Sequence, residues 1–184
     1  RDIQRMPAAE QLEWFDSMDT ELVALQDKDT FTIINRSDVP SGHQIVKSAW
    51  AFRRKRRPNG LIYKLKSRFV VRGDLQKLAE AEQTFSPVVD WSTVRLLFIL
   101  TAAQGLHTQT IDFNAAFVQA ELPEPLYMEL PPGYGIPGTD KVYKVTKSLY
   151  GDVRAAKLWY KHLSSALVNK LGMTKSSIDS CLYY

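Results

Sequence analysis

Residues 45–72 read IVKSAWAFRRKRRPNGLIYKLKSRFVVR, and each half alternates cations with small, aliphatic or aromatic residues. A period of two over this length is the signature of a half-buried β-strand. Between the halves stands Pro58-Asn59-Gly60, and Asn-Gly is a sharp hairpin signal because both residues tolerate positive φ. The stretch therefore predicts two strands, 45–57 and 61–72, folded back on each other. In the second, Tyr63, Leu65, Ser67, Phe69 and Val71 fall on one face, with Lys64, Lys66, Arg68 and Arg72 on the other. Gly73 closes the hairpin, and residues 74–84 read as a polar connection.

The hairpin concentrates the charge of the whole chain. Over 184 residues the formal charge is +4, but residues 47–77 hold 11 basic and 1 acidic side chains. That segment carries +10 and the remainder sums to −6. A compact basic element on a mildly acidic body is the footprint of a polyanion-binding surface, and the alternative is a solvated basic hairpin.

Upstream, residues 8–27 place Trp14, Met18, Leu22 and Leu25 on one helical face, with Pro7 at its start and Asp16, Asp19 and Glu21 on the wetter side. FTII at 31–34 predicts a short strand, and the Ser, Asp, Pro and Gly of 37–42 a turn. Downstream, a turn at Ser86-Pro87 precedes a helix capped by Ser92 or Thr93 and stopped by Gly105. Its nearly unbroken apolar run from Val94 to Ala103 predicts a place at the centre of the core. Residues 106–122 predict a β-rich segment ending near Asp112 and then a turn or short helix. LYMEL at 126–130 and KVYKVTK at 141–147 read as strands around a Pro/Gly loop. A helix over 155–171 is closed by Gly172, and residues 181–184 look like the entry to another strand. The sum is an α+β fold in which a basic hairpin projects from mixed helices and strands.

A single cysteine, Cys181, excludes an intramolecular disulfide framework and a cysteine-rich zinc site, and the three histidines have no metal-binding spacing. The longest apolar run, LLFIL at 96–100, is too short to span a bilayer, so no membrane partner is expected. Asp112, at the end of an apolar segment, suits a metal ligand, but with no second carboxylate at a matching spacing the residues alone favour a turn or helix cap. The chain opens at Arg1 and closes within a strand-like segment, which leads us to expect a piece of a longer protein.

Five blocks in fixed order carry a more specific signal. They are AWAFRRKRRPNGLIYKLKSRFVVRGDLQ at 49–76, TFSPVVDWSTVRLL at 84–97, QTIDFNAAFVQAELPEPLYMELPPGY at 109–134, KVTKSLYG at 144–151 and SSIDSCLY at 176–183. With these blocks the chain resembles the reverse transcriptase domain of Ty1/copia-type retrotransposon polyproteins. The resemblance implies a right-hand polymerase, with fingers over approximately 30–105 and palm over approximately 106–184. It implies extension of a DNA primer on an RNA or DNA template with deoxynucleoside triphosphates, using two Mg2+ ions. It also implies a place within a longer retrotransposon polyprotein and in a cytoplasmic particle, though no address in the chain itself fixes localisation.

The same resemblance assigns roles. Asp112 matches the first catalytic, metal-binding aspartate, and the Phe113 carbonyl completes part of a metal shell. Phe117 matches an aromatic ring beneath the nucleotide sugar that excludes a 2′ hydroxyl. Lys66 and Arg68 match triphosphate contacts, where an Arg fork pairs with phosphate oxygens and Lys acts as a point charge. Lys47, Arg53, Arg54, Lys55, Arg56, Arg57 and Arg72 read as contacts to a nucleic-acid backbone.

Two departures from the family pattern stand out. Arg154 replaces a glutamine expected near the nucleotide, Ala156 replaces a turn-shaping proline, and Val153 replaces a lysine. The family's Tyr-Val-Asp-Asp segment is expected one to two dozen residues beyond Tyr184, and Asp179 belongs to a block just upstream with a structural task. The expected polypeptide is therefore a fingers and partial-palm fragment without polymerase activity of its own. The competing expectations are a non-catalytic nucleic-acid-binding fragment and a degenerate transposon remnant.

Overall fold

The computed structural model describes residues 3–77, 84–135 and 139–184. Part of the predicted polar connection at 74–84 and part of the Pro/Gly loop after residue 130 lie outside the described residues.

Two sheets form. Strands β3 (Ser48–Arg56) and β4 (Ile62–Val71) make an antiparallel ribbon with Trp50 opposite Phe69 and Arg53 opposite Lys66. Strands β1 (Phe31–Asn35), β2 (Ile45–Val46), β5 (Glu121–Glu129) and β6 (Lys141–Lys147) make a second sheet in the order β1-β6-β5-β2. Only the β2–β5 pair is parallel. The predicted strand 45–57 is thus split at Lys47, since Ile45 and Val46 pair with β5 while Ser48 onward pairs with β4. Pairing between β5 and β6 is interrupted between Glu121 and Leu126. Pro123 and Pro125 fall there, and neither has an N–H to give the ladder.

The hairpin turns through Pro58-Asn59-Gly60 as the sequence predicts, but only one of the Asn-Gly pair takes positive φ. Gly60 donates to the Arg57 carbonyl at 2.8 Å, and Arg57 donates to Leu61 at 2.9 Å. Gly60 has φ of 82° while Asn59 keeps a negative φ, so the loop is a three-residue turn with glycine alone in the left-handed region.

Helix α1 (Ala8–Gln26) buries Trp14, Met18 and Leu25, the face its spacing predicts. It lies along the outer edge of β4. Ser17 Oγ accepts from the Ser67 N–H at 2.9 Å and donates to the Leu65 carbonyl at 3.3 Å. The Ser17 hydroxyl thereby satisfies backbone groups that a further strand would otherwise take, which blunts an exposed edge. Glu21, one turn later, is half-buried rather than on the wetter side, because the helix rests on β4.

The core lies where ribbon and sheet meet. Phe69, Met128, Val142 and Val145 are fully buried, with Val46 and Leu149 nearly so. Aromatic contacts run from Trp50 to Phe69 at 5.5 Å and from Phe69 to Tyr143 at 5.9 Å. At the ribbon's base the Val71 N–H donates to the Tyr150 carbonyl at 2.9 Å. Two glycines permit that approach: a Cβ on Gly73 would sit 2.0 Å from the Gly151 carbonyl oxygen, and one on Gly151 would sit 2.1 Å from that of Val71.

Helix α2 (Trp91–Gln104) corrects the sequence reading twice. Its cap is Asp90, whose carboxylate accepts from the Ser92 N–H at 2.9 Å, rather than Ser92 or Thr93. More importantly, it is not central to the core: Thr93 alone is buried in it, while Trp91 is 74% and Phe98 66% exposed. The core is filled from β-strands, α1 and the segment around Leu149, leaving α2 attached mainly through its first turn. There the buried Asp179 carboxylate accepts from the Asp90 and Cys181 N–H groups at 2.9 and 2.8 Å.

Residues 106–113 form no strand, so Asp112 does not stand at the end of a β segment as predicted. Residues 115–120 turn sharply through Ala115, with φ of 50°, into a short 3-10 turn at Phe117–Gln119. Helix α3 (Ala155–Ser165) continues as a π turn through Lys170. Residues 182–184 fold back onto 174–176, with Tyr184 and Thr174 exchanging both backbone bonds, so they do not enter a further strand of the main sheet. The architecture is a mixed α+β fold, in keeping with a polymerase-like fold.

Candidate nucleotide and nucleic-acid interface

The register of the ribbon sorts its cations into two environments. Arg53, Lys55, Lys64, Lys66 and Arg68 share one face, because Arg53 opposes Lys66, Lys55 opposes Lys64 and Ala51 opposes Arg68. Like charges directly opposite on a sheet are unfavourable by some tenths of a kcal/mol, roughly up to 1 per pair. No ion pair offsets this on Arg53, Lys55, Lys64 or Lys66 among the described residues. Burial, Arg68 and Lys55 together hold the Lys66 amine below its ordinary pKa, with Glu21 opposing them. A surface that tolerates such crowding is suited to a polyanion, whose phosphates would relieve the repulsion.

The other sequence-predicted cations are placed differently. Arg54 alternates to the opposite face with Trp50 and Phe52, where it pairs with Glu10 of α1 and lies 3.9 Å from the Met6 sulfur. Arg56 donates to the Gly60 carbonyl at 2.8 Å and so braces the turn. Arg57 is exposed at the turn, and Lys47 is exposed where the two sheets part. Arg72 is held bidentately by Asp74 at 2.8 and 2.6 Å, which raises the guanidinium pKa. At the tip, Arg53, Arg54, Lys55 and Arg56 surround Tyr63 in an open cavity of about 490 Å3.

At the base of the ribbon three aromatic or cationic groups converge. The Arg68 guanidinium carbon lies 4.6 Å from the centroid of the Tyr150 ring, a cation–π distance, and Tyr150 meets Phe117 edge-on at 4.8 Å. Arg68 Nε is buried without a hydrogen-bond partner. An unpaired buried guanidinium N–H is costly, by about 1–3 kcal/mol or more, and marks a place where an acceptor fits. Tyr150 was not singled out from the sequence beyond its place in the KVTKSLYG block, nor was the Gly73–Gly151 contact that brings Tyr150 to β4. Spacing alone holds no trace of either, because the partners are some 80 residues apart.

The remaining predicted residues do not join this cluster. Phe113 packs on Trp159 at 5.2 Å. Arg154 is turned toward its own loop, with Nη2 3.1 Å and Nε 3.2 Å from the carboxylate of Asp152, whose side chain is fully buried. Asp112 is exposed and makes no hydrogen bond or ion pair among the described residues. No group of three or more His, Cys, Asp or Glu among the described residues could hold a metal ion. The donor set present, Asp112 with the Phe113 carbonyl, therefore does not fit a pair of Mg2+ ions by itself. No helix among the described residues is long and apolar enough to cross a membrane.

Comparison with known proteins gives a consistent picture. The family described as reverse transcriptase (RNA-dependent DNA polymerase) matches residues 28–184. The chain is 31% identical over 170 residues to the retrovirus-related Pol polyprotein from transposon TNT 1-94 of Nicotiana tabacum, covering 91% of this chain and 12% of that one. It is 30% identical over 176 residues to the corresponding polyprotein from transposon RE1 of Arabidopsis thaliana, covering 92% and 12%. It is 27% identical over 168 residues to the transposon Ty1-ER2 Gag-Pol polyprotein of Saccharomyces cerevisiae, covering 89% and 9%. The chain thus spans about a tenth of the length of these relatives. No solved structure matches it.

Proposed function

Because the chain belongs to the reverse transcriptase (RNA-dependent DNA polymerase) family, we propose that it supplies the fingers and part of the palm of an RNA-directed DNA polymerase. The reading extends fingers over approximately 30–105 and palm over approximately 106–184, within a longer retrotransposon polyprotein. The observation that carries it is the Arg68–Tyr150–Phe117 cluster, where a buried, unpartnered guanidinium N–H meets two aromatic rings.

In this reading Arg68, with Lys66 beside it, takes the triphosphate of an incoming deoxynucleotide. Phe117 lies beneath the sugar and rejects a 2′ hydroxyl by shape. Arg53, Lys55 and Lys64 track the phosphates of an RNA or DNA template or its DNA primer. Asp112 is the family's first catalytic carboxylate. Since the present donors do not complete a two-Mg2+ site, no chemical step is assigned to this polypeptide. The 184 residues contain no adjacent pair of aspartates. A second reading, nucleic-acid binding without chemistry, is favoured by the exposed position of Asp112, which belongs to no group of three or more His, Cys, Asp or Glu among the described residues.

Fluorescence anisotropy with a labelled single-stranded oligonucleotide across a salt series tests the shared part of both readings. If about four to six phosphates are engaged, the log-log salt slope is expected near −3 to −4. Replacing Arg53, Lys55 and Lys64 with alanine is expected to flatten that slope and weaken binding several-fold, while Arg54→Ala leaves the slope unchanged. Equal slopes for parent and triple variant would remove this face as the binding surface. Primer extension on an RNA template separates the two readings: no incorporation is expected from the 184-residue polypeptide alone, and incorporation abolished by Asp112→Asn would establish chemistry in it.

A further inference from the structure

We propose that Tyr63 is a stacking platform for an unpaired nucleobase at the tip of the ribbon, so that the ribbon distinguishes a single strand from a duplex. The inference rests on the reading of the ribbon cations as contacts to a nucleic-acid backbone, and it adds a residue that meets bases rather than phosphates.

Register makes Tyr63 exceptional. Lys55 pairs with Lys64, but the next residue, Arg56, pairs with Ile62, which leaves Tyr63 as an extra residue with no partner across the ribbon. Such a bulge bends its strand and re-aims a side chain. Alternation groups Tyr63 with Leu65, Ser67, Phe69 and Val71; the last three are buried and Leu65 is half-buried, whereas Tyr63 is 52% exposed. Other rings of the ribbon are covered: Trp14 meets Phe52 edge-on at 5.0 Å, and Trp50 packs on Phe69 at 5.5 Å. No ring and no cation among the described residues stacks on Tyr63.

Around that free ring stand Arg53, Arg54, Lys55 and Arg56, lining with it the open cavity of about 490 Å3. That volume lies within the roughly 300–1,000 Å3 of small-ligand sites and leaves room for one nucleotide. Arg54 is held by Glu10 and Arg56 by the Gly60 carbonyl, but Arg53 and Lys55 have no ion pair among the described residues. A single strand offers what this arrangement lacks, a base to cover the ring and phosphates to neutralise the cations. A duplex keeps its bases stacked on one another and can use the cations alone. Leu61 and Ile62 are also exposed at the tip, and apolar side chains beside cations suit an anionic membrane surface as well. Nucleic acid is favoured because the cations share their cavity with the ring, whereas Leu61 and Ile62 do not line it.

The test is fluorescence anisotropy of the full 184-residue chain with a labelled oligothymidylate of about twelve nucleotides across a salt series. Tyr63→Ala is expected to bind about five- to thirtyfold more weakly than the parent with the same log-log salt slope, because no phosphate contact is lost. Tyr63→Phe is expected to bind like the parent, and Tyr63→Leu like Tyr63→Ala, since apolar bulk without a flat ring does not stack. On an abasic sugar-phosphate strand of the same length, and on a blunt duplex, Tyr63→Ala and the parent are expected to bind equally. Undiminished binding of the thymidylate strand by a folded Tyr63→Ala protein would overturn the proposal and leave the phosphate reading intact. So would equal losses on the base-bearing and abasic strands, which would show that the ring acts only by holding the cations. Failure of the parent to bind any of these probes would overturn that reading and the proposal together. Vesicles containing phosphatidylserine form the last arm: a loss there on Tyr63→Ala, with oligonucleotide binding unchanged, would assign the tip to a membrane surface instead. If Tyr63→Ala fails to fold, Tyr63→Leu replaces it in every arm.

Discussion

The base of the basic ribbon and helix α2 are both strongly apolar in sequence, and the fold treats them in opposite ways. Phe69 and Val71 are buried between ribbon and sheet, whereas Leu96, Leu97, Phe98 and Ile99 of α2 all stay exposed. Toward the base of β4 a period of two buries Ser67, Phe69 and Val71 and leaves Lys66 and Arg68 on the other side, so register fixes what goes inside. In α2 the apolar run has no polar face across most of its length, so it signals burial without naming a partner. Its exposed rings and aliphatic chains form a surface of the kind that marks association or a missing neighbour.

The comparison can be broken most directly in stability. Phe69→Ala is expected to cost about 3–5 kcal/mol, the range for a fully buried aromatic residue, while Phe98→Ala is expected within about 0.5 kcal/mol of the parent. Urea denaturation of both variants measures the difference. A large loss at Phe98 would show that α2 is packed in solution, through self-association or otherwise, and a concentration series would tell which.

A smaller effect is expected from the glycines that seat the ribbon. Gly151 has φ of 87°, and an added Cβ would meet the Val71 carbonyl oxygen at 2.1 Å. Gly151→Ala is expected to destabilise by about 2–3 kcal/mol, from overpacking and positive φ together. Gly105→Ala, at the end of α2 with φ of 64° and open space around it, bears only the backbone penalty of about 1 kcal/mol. Near-equal midpoints for the two variants would contradict the close approach of β4 to the Tyr150-Gly151 turn.

The smallest effect concerns the attachment of the first turn of α2. Hydrogen bonds from the Cys181 and Asp90 N–H groups and the Thr93 hydroxyl hold the Asp179 carboxyl below its ordinary pKa. A depressed folded value means that its contribution is present above the unfolded pKa and is lost as pH falls through the folded value. Exchange of the Asp90 amide is therefore expected to accelerate as pH drops below about 4, after correction for intrinsic rates. Asp179→Asn is expected to show fast exchange already at neutral pH. A pH-independent protection factor in the parent would exclude this attachment.

Local signals made much of the fold legible: the face of α1, the paired strands of the ribbon, β1, β6, α3 and the stops at Gly105 and Gly172. The family blocks marked Lys66, Arg68 and Phe117, and the structure brings Arg68 and Phe117 to the same ring of Tyr150. The other assignments were decided by side-chain pairing, across 44 residues for Arg54 and between residues two apart for Arg72 and Arg154. Arg54 is turned toward Glu10, Arg72 toward Asp74 and Arg154 toward Asp152, so none projects as an unpaired cation although each is basic in sequence. Composition reports how much charge a segment carries, whereas register and packing decide which charges find partners. The sequence by itself determined where the cations concentrate and where the chain turns, since alternation, glycine and proline act over a few residues. Only tertiary structure could decide that β2 leaves the hairpin for β5, that Ser17 takes the Ser67 N–H and that α2 stays outside the core. Those outcomes depend on free energies shared between segments far apart in the chain, which no local pattern encodes.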